Sequence, residues 1–145
     1  MKKEISILLL GKKNDKHCDE AIEYLKSNFS KVDVYFGEFH GEPFPKEAKK
    51  WQGDYIISYL SRWIVPSYLL NNAKIASFNF HPASPEYPGI GCNNFALYLE
   101  DDSYGVTCHH MVPAVDTGEI ISVKRFSIHP DDNVASILKK TYDVQ

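Results

Sequence analysis

The chain has 145 residues, enough for one compact domain and too few for two of ordinary size. Hydrophobic residues make up 43% of it, so a real core is available, while a net charge of −3 argues against the basic face expected of a tRNA or DNA binder. The one basic cluster, Lys46, Lys49 and Lys50, suits a solvated helix face.

Ile5 to Leu10 is an uninterrupted apolar run closed by Gly11, the pattern of a strand buried on both faces. A short polar loop follows. Then Cys18, Ala21, Ile22, Leu25 and Phe29 recur at helical spacing and predict an amphipathic helix. Val32 to Phe36 predicts a second strand, Gly37 to Pro45 a loop, Lys46 to Trp51 a short helix, and Tyr55 to Leu60 a third strand. Pro66 can open a helical turn that runs to Asn71. Ile75 to Phe80 predicts a fourth strand, followed by a stiff loop containing Pro82, Pro85, Pro88, Gly89 and Gly91. Asn93 to Leu99 predicts a helix with Phe95, Tyr98 and Leu99 on one side. Gly105 to Val112 and Glu119 to Ile128 are strand-like and joined by PAVDTG; Asp131 is placed to cap a last helix carrying Val134, Ile137, Leu138 and Tyr142.

Strands alternating with helices predict an α/β fold: a Rossmann-like, mostly parallel open sheet with helices on both faces and a late hairpin-like addition. Residues 1–145 form a single domain on this reading; the chain stops within or just after its last helix, so a lean domain and a shortened one both fit. Cys18, Cys92 and Cys108 are odd in number and lack C-x-x-C spacing, which suits free thiols in a reducing compartment. The N-terminal apolar run is too brief for a secretory leader and is interrupted by Glu4, and no stretch approaches the roughly 20 apolar residues that span a bilayer. The expectation is a cytoplasmic protein with neither a nucleic-acid nor a membrane partner, for which a homodimer stays open.

Asn79 and His81 lie two apart on a strand and so share a face, at the carboxyl end where open α/β sheets bind ligands. Read alone, His81 reads more readily as a local cap of the strand. Asp116, in VPAVDTGEI, reads alone as a turn residue. Its Asp-Thr-Gly triplet is that of aspartic proteases, but those are all-β and need two such aspartates. His109 and His110 are adjacent on a strand and face opposite ways, one packed and one toward solvent, so they do not chelate one metal, and no zinc-ligand pattern exists. Gly11 without G-x-G-x-x-G is no dinucleotide fingerprint.

The order of these pieces is more specific than any of them: Asn79-x-His81-Pro82, a Pro/Gly loop, a helix, Gly105-Val106-Thr107-x-His109, then Asp116-x-Gly118-x-Ile120. It resembles the formyltransferase catalytic domain, the family of glycinamide ribonucleotide, methionyl-tRNA and nucleotide-sugar formyltransferases, most densely from Tyr55 to Ile128. The resemblance implies a catalytic set of Asn79, His81 and Asp116, buttressed by His109, with 10-formyltetrahydrofolate as donor and no metal. It implies folate contacts from the segment holding Arg62, Trp63 and Ile64 and from the loop holding Val112, Ala114 and Val115. Which of His81 and Asp116 takes a proton stays open in the sequence.

The loop PASPEYPGIG departs from the Leu-Leu-Pro and Arg-Gly of many relatives, the tRNA enzymes among them. It looks like the nucleotide-sugar branch, which acts on amino-dideoxy sugars, with Tyr87 and Asn93 as acceptor contacts. The expected activity is N-formylation of a nucleotide-linked amino sugar such as dTDP-4-amino-4,6-dideoxyglucose. The alternatives are another amine such as methionyl-tRNA, hydrolysis of the donor, or a non-catalytic folate-binding domain. Catalytic domains of relatives usually run longer than this chain.

Overall fold

The structure, a computed structural model, describes residues 1–145. Six strands, β1 (Lys3–Lys12), β2 (Phe29–Gly37), β3 (Gly53–Tyr59), β4 (Ala73–His81), β5 (Ser103–His110) and β6 (Ile120–Ser127), form one sheet in the order β2-β1-β3-β4-β5-β6. The first four are parallel to their neighbours; β5 runs antiparallel to β4, and β6 antiparallel to β5. The late pair therefore extends the main sheet. Four helices cover it: α1 (Lys16–Asn28), α2 (Ser67–Leu70), α3 (Cys92–Tyr98) and α4 (Val134–Val144). The short helix predicted before β3 is a single 3-10 turn, Ala48–Lys50.

The apolar run of β1 supplies both faces of the core, as period-2 alternation requires. Ile7 and Leu9 pack with Ile57 and Tyr59 under Cys18 and Leu25 of α1. Leu8 and Leu10 pack on the other face with Ile56, Val65 and Leu69 of α2. A third cluster joins Tyr104 of β5, Cys92 and Ala96 of α3, and Ile137 of α4. On β4, Phe78 and Phe80 turn to the α1 face and meet Tyr55 and Tyr59 edge-on, which leaves Asn79 and His81 on the opposite face.

Two expectations change. The cap of α4 is Asn133, not Asp131: its side chain accepts the N–H groups of Ala135 and Ser136, and the Ser136 hydroxyl accepts the Asn133 N–H, a reciprocal capping box. On α3 the packed side is Cys92 and Ala96, while Phe95, Tyr98 and Leu99 are exposed. Small residues let this helix approach Tyr104 and Ile137 closely, which its large ones would prevent. No helix is long and apolar enough to cross a membrane.

Leu8 is fully buried at the centre of the sheet, so Leu8→Ala is expected to cost about 2–5 kcal/mol. Asn133→Ala, which removes only a cap, is expected to cost about 1 kcal/mol. Urea unfolding followed by circular dichroism measures both.

Candidate active site

Strand register assembles the site. Ser58, Asn79 and His109 are direct partners across β3, β4 and β5, so they form one polar rank on the face opposite the aromatic pairs. His81 extends that rank by one step of the period at the end of β4, opposite Thr107. Asp116 arrives from the turn between β5 and β6. It sits in the left-handed region at φ 54°, which Asp tolerates better than most residues. Gly118 follows for a steric reason: a Cβ there would lie 1.7 Å from the carbonyl oxygen of His110. The Asp-x-Gly spacing is thus what brings a carboxylate back over the end of β4.

Both oxygens of Asp116 face donors. His109 Nε2 is 3.2 Å and Asn79 Nδ2 3.5 Å from Oδ1, and the Gly89 N–H is 2.9 Å from Oδ2; His81 Nδ1, which is not a donor in the neutral ring, lies 3.6 Å from Oδ2. Burial pushes the Asp116 carboxyl up, but the His109 hydrogen bond, the Gly89 N–H and the two imidazoles outweigh it and hold the group below its ordinary range. The Asp116 hydrogen bond raises His109 against the opposing effect of burial. These directions place the proton of the pair on His109.

Partner chemistry fixes the rings. His109 Nδ1 lies 2.8 Å from the His110 carbonyl, which can only accept, so Nδ1 carries a hydrogen and Nε2 turns to Asp116. His81 Nε2 lies 2.7 Å from the Tyr87 carbonyl, so Nε2 is its protonated nitrogen and Nδ1 is the one beside Asp116. Asp116 accepts only, so the nitrogen of the Asn79 amide faces it, and one of the two N–H bonds there remains for another acceptor.

A cleft of about 500 Å³ opens over these groups. Leu60, at φ 54°, turns the chain out of β3 so that Arg62, Trp63 and Ile64 line it, with Val112, Val115 and Asn93 elsewhere on the wall. Arg62 also hydrogen-bonds His40 at 2.7 Å. Arg62 Nε, Trp63 Nε1 and Asn93 Nδ2 are buried donors without an acceptor. Two expected contacts do not reach the cleft. Ala114 is exposed on the turn, its carbonyl engaged by the Thr117 hydroxyl at 3.0 Å. The Tyr87 ring is turned away: its hydroxyl bonds Asp101 and its ring packs 6.0 Å from that of Tyr104. A larger groove of about 800 Å³ beside α1, over Tyr55 and Phe78, holds none of the groups around Asp116.

Sequence reasoning left His109 as a buttress and overlooked Cys92 and the Gly89 N–H. The signal for His109 was its place in the Gly-Val-Thr-x-His motif; its facing Asn79 follows from an antiparallel pairing that no local pattern announces.

The Formyl transferase family model matches residues 15–145. The chain belongs to the formyl transferase family. Among curated relatives, this formyltransferase-family chain is 30% identical over 100 residues to a methionyl-tRNA formyltransferase of Bacteroides fragilis, covering 68% of this chain and 31% of the relative. It spans between a fifth and a third of the length of the first curated relatives it matches. Among solved structures, PseJ of Anoxybacillus kamchatkensis, in complex with UDP-4,6-dideoxy-4-formamido-L-AltNAc and tetrahydrofolate, is 26% identical with a TM-score of 0.71, covering 96% of this chain and 69% of that one. An N-formyltransferase of Helicobacter canadensis, in complex with folinic acid and dTDP-3-aminofucose, shares the fold at 22% identity and a TM-score of 0.77, covering 97% of this chain and 59% of that one.

The pair at the centre of the site has a defined pH signature. His109 is raised, so its contribution to stability is full below the unfolded value of about 6.5 and is lost as pH rises through the folded value. Asp116 is lowered, so its contribution is full above about 3.9 and is lost as pH falls through the folded value. The ion pair is expected to stabilise most between about pH 4 and pH 6.5. In Asp116→Asn, an imidazole NMR titration is expected to show His109 titrating at lower pH than in the native protein.

Proposed function

We infer that this chain transfers the formyl group of 10-formyltetrahydrofolate to the amine of a nucleotide-linked amino-dideoxy sugar. The observation that carries this is the convergence of Asn79, His81 and Asp116 on one cleft at the carboxyl end of β4. The cleft fits the two substrates in kind. Its volume is in the range of small-molecule sites, its wall is largely apolar at Ile64, Val112 and Val115, and Arg62, Trp63 and Asn93 stand on that wall with polar groups. Trp63, Ile64, Val112 and Val115 would hold the folate, Arg62 would meet an anionic or carbonyl group of it, and Asn93 would meet the sugar.

The folate supplies an activated formyl carbon when bound. As the substrate amine forms its new bond to that carbon, negative charge develops on the formyl oxygen. The second N–H of the Asn79 amide, the one Asp116 does not use, would be the donor that takes it. His81 accepts the amine proton at Nδ1, because Nε2 already carries the hydrogen held by Tyr87. The new imidazolium then faces Asp116 Oδ2 at 3.6 Å. Asp116 is a poor base for the same step, since its surroundings favour the carboxylate. The proton is returned to the nitrogen that leaves when the old C–N bond breaks.

The acceptor class rests on three supports. The PseJ structure holds a formamido sugar linked to UDP, and the Helicobacter structure an amino sugar linked to dTDP. The loop after His81 carries Tyr87-Pro88-Gly89, with no arginine to meet a nucleic-acid phosphate. The net charge is −3. The identity to methionyl-tRNA formyltransferases makes that tRNA the acceptor to test beside the sugars.

Incubation with 10-formyltetrahydrofolate and a panel of dTDP- and UDP-linked amino sugars, glycinamide ribonucleotide and methionyl-tRNA is expected to give an N-formyl product with a sugar only, read by mass spectrometry. Product from the tRNA alone would overturn the acceptor class, and formate release without an acceptor would make the chain a hydrolase. Asn79→Ala is expected to lower kcat by about a hundred- to a thousandfold, and His81→Ala by about a hundred- to ten-thousandfold, with folding unchanged by circular dichroism.

A further inference from the structure

The loop Pro82–Gly91 holds both acid–base groups through its backbone. The Tyr87 carbonyl takes the Nε2 hydrogen of His81 at 2.7 Å, and the Gly89 N–H bonds Asp116 Oδ2 at 2.9 Å. One side chain touches the loop at two carbonyls, that of Tyr87 among them. The Cys92 thiol lies 3.1 Å from the Tyr87 carbonyl and 3.4 Å from the Gly89 carbonyl, with its sulfur 4.0 Å from His81 Nε2. Cys92 is buried at the first position of α3, with Ala96 of the same helix packed against Tyr104 and Ile137. Burial pushes its thiol up, so it remains an S–H donor at neutral pH.

The rest of the loop is tied down around this sulfur. Thr107 donates to the Ala83 carbonyl at 2.8 Å, Tyr104 to the Pro82 carbonyl at 3.1 Å, and the Tyr87 hydroxyl bonds Asp101. These bonds fix the loop ends and the Tyr87 side chain. The Tyr87 N–H bonds the Ser84 carbonyl at 3.0 Å and the Gly89 N–H is held by Asp116, which leaves the Tyr87 carbonyl as the group that Cys92 and His81 fix between them.

We propose that Cys92 is a positioning residue: its S–H holds the Tyr87 carbonyl, so that this carbonyl keeps the Nε2 hydrogen of His81 and His81 presents Nδ1 to the cleft. Two tautomers of neutral His81 compete: hydrogen on Nε2 toward Tyr87, or on Nδ1 toward Asp116. Only the first leaves Nδ1 able to accept a proton. A thiol that holds the Tyr87 carbonyl in place favours the first. Tyr87 acts through its carbonyl on this account, which explains why its ring is anchored away from the cleft.

The kinetic half of this inference rests on the formyl-transfer function; the structural half does not. The test is the ¹⁵N spectrum of the His81 ring in the free protein at alkaline pH, where imidazole is neutral. The native chain is expected to show a single tautomer with hydrogen on Nε2. Cys92→Val, near the size of the native side chain but unable to donate, is expected to show a mixture of tautomers and a kcat about tenfold lower. Cys92→Ser, which restores a donor, is expected to recover the native spectrum. Cys92→Ala carries the same readout should valine disturb packing. A single Nε2–H tautomer in folded Cys92→Val and Cys92→Ala would overturn the proposal. Tautomer mixing in a protein whose native form transfers no formyl group would leave the positioning role standing and remove the function.

Discussion

The carboxylate of Asp116 is buried at the meeting point of three separate pieces of chain, and the site exists only where those pieces satisfy it. A buried carboxylate without donors would cost several kcal/mol or take up a proton. Here β4 contributes the Asn79 amide, β5 contributes His109, and the loop after β4 contributes the Gly89 N–H, with His81 Nδ1 beside them at 3.6 Å. Both imidazoles are in turn fixed by something else: His109 by the His110 carbonyl and His81 by the Tyr87 carbonyl. The charge of one residue thus orders the strand ends, the turn and the loop together.

That arrangement depends on the sheet changing direction. In the parallel half, neighbouring strands point their carboxyl ends the same way, which puts Leu60 through Val65 and the end of β4 on one rim. Antiparallel β5 then begins at that rim's far side and runs back past Asn79, so that His109 meets it face to face. The β5–β6 turn lies close by and returns Asp116 over the rim. Gly118 permits the close passage over His110, and a larger residue there would push the turn off the site.

Much of the fold was legible in local pattern. All six strands and the four helices were visible as apolar runs or helical spacing, because burial on one or both faces leaves a period in the sequence. Their ends were less legible. Asp131 and Asn133 are both good cap residues, and the choice went to the one whose partner Ser136 completes a reciprocal box. On α3, Phe95, Tyr98 and Leu99 are the large apolar residues, yet close packing on Tyr104 favoured the smaller Cys92 and Ala96. The late strands read as a hairpin-like addition to the sheet, and the structure places them at the β4 edge, which nothing local specifies.

At the site, residue chemistry and period-2 alternation determined by themselves that Asn79 and His81 share a face at a strand end, with Phe78 and Phe80 behind them. The ordered Asn, His and Asp also marked the family, which the match over residues 15–145 bears out. Tertiary structure alone decided that His109 rather than His110 faces Asp116, that Tyr87 offers its carbonyl and not its ring, and that Cys92 lies beneath the pair. The reason is that a side chain's facing follows from its own strand, whereas its partner is set by register and loop path between segments tens of residues apart, and those are fixed only when the whole sheet is packed.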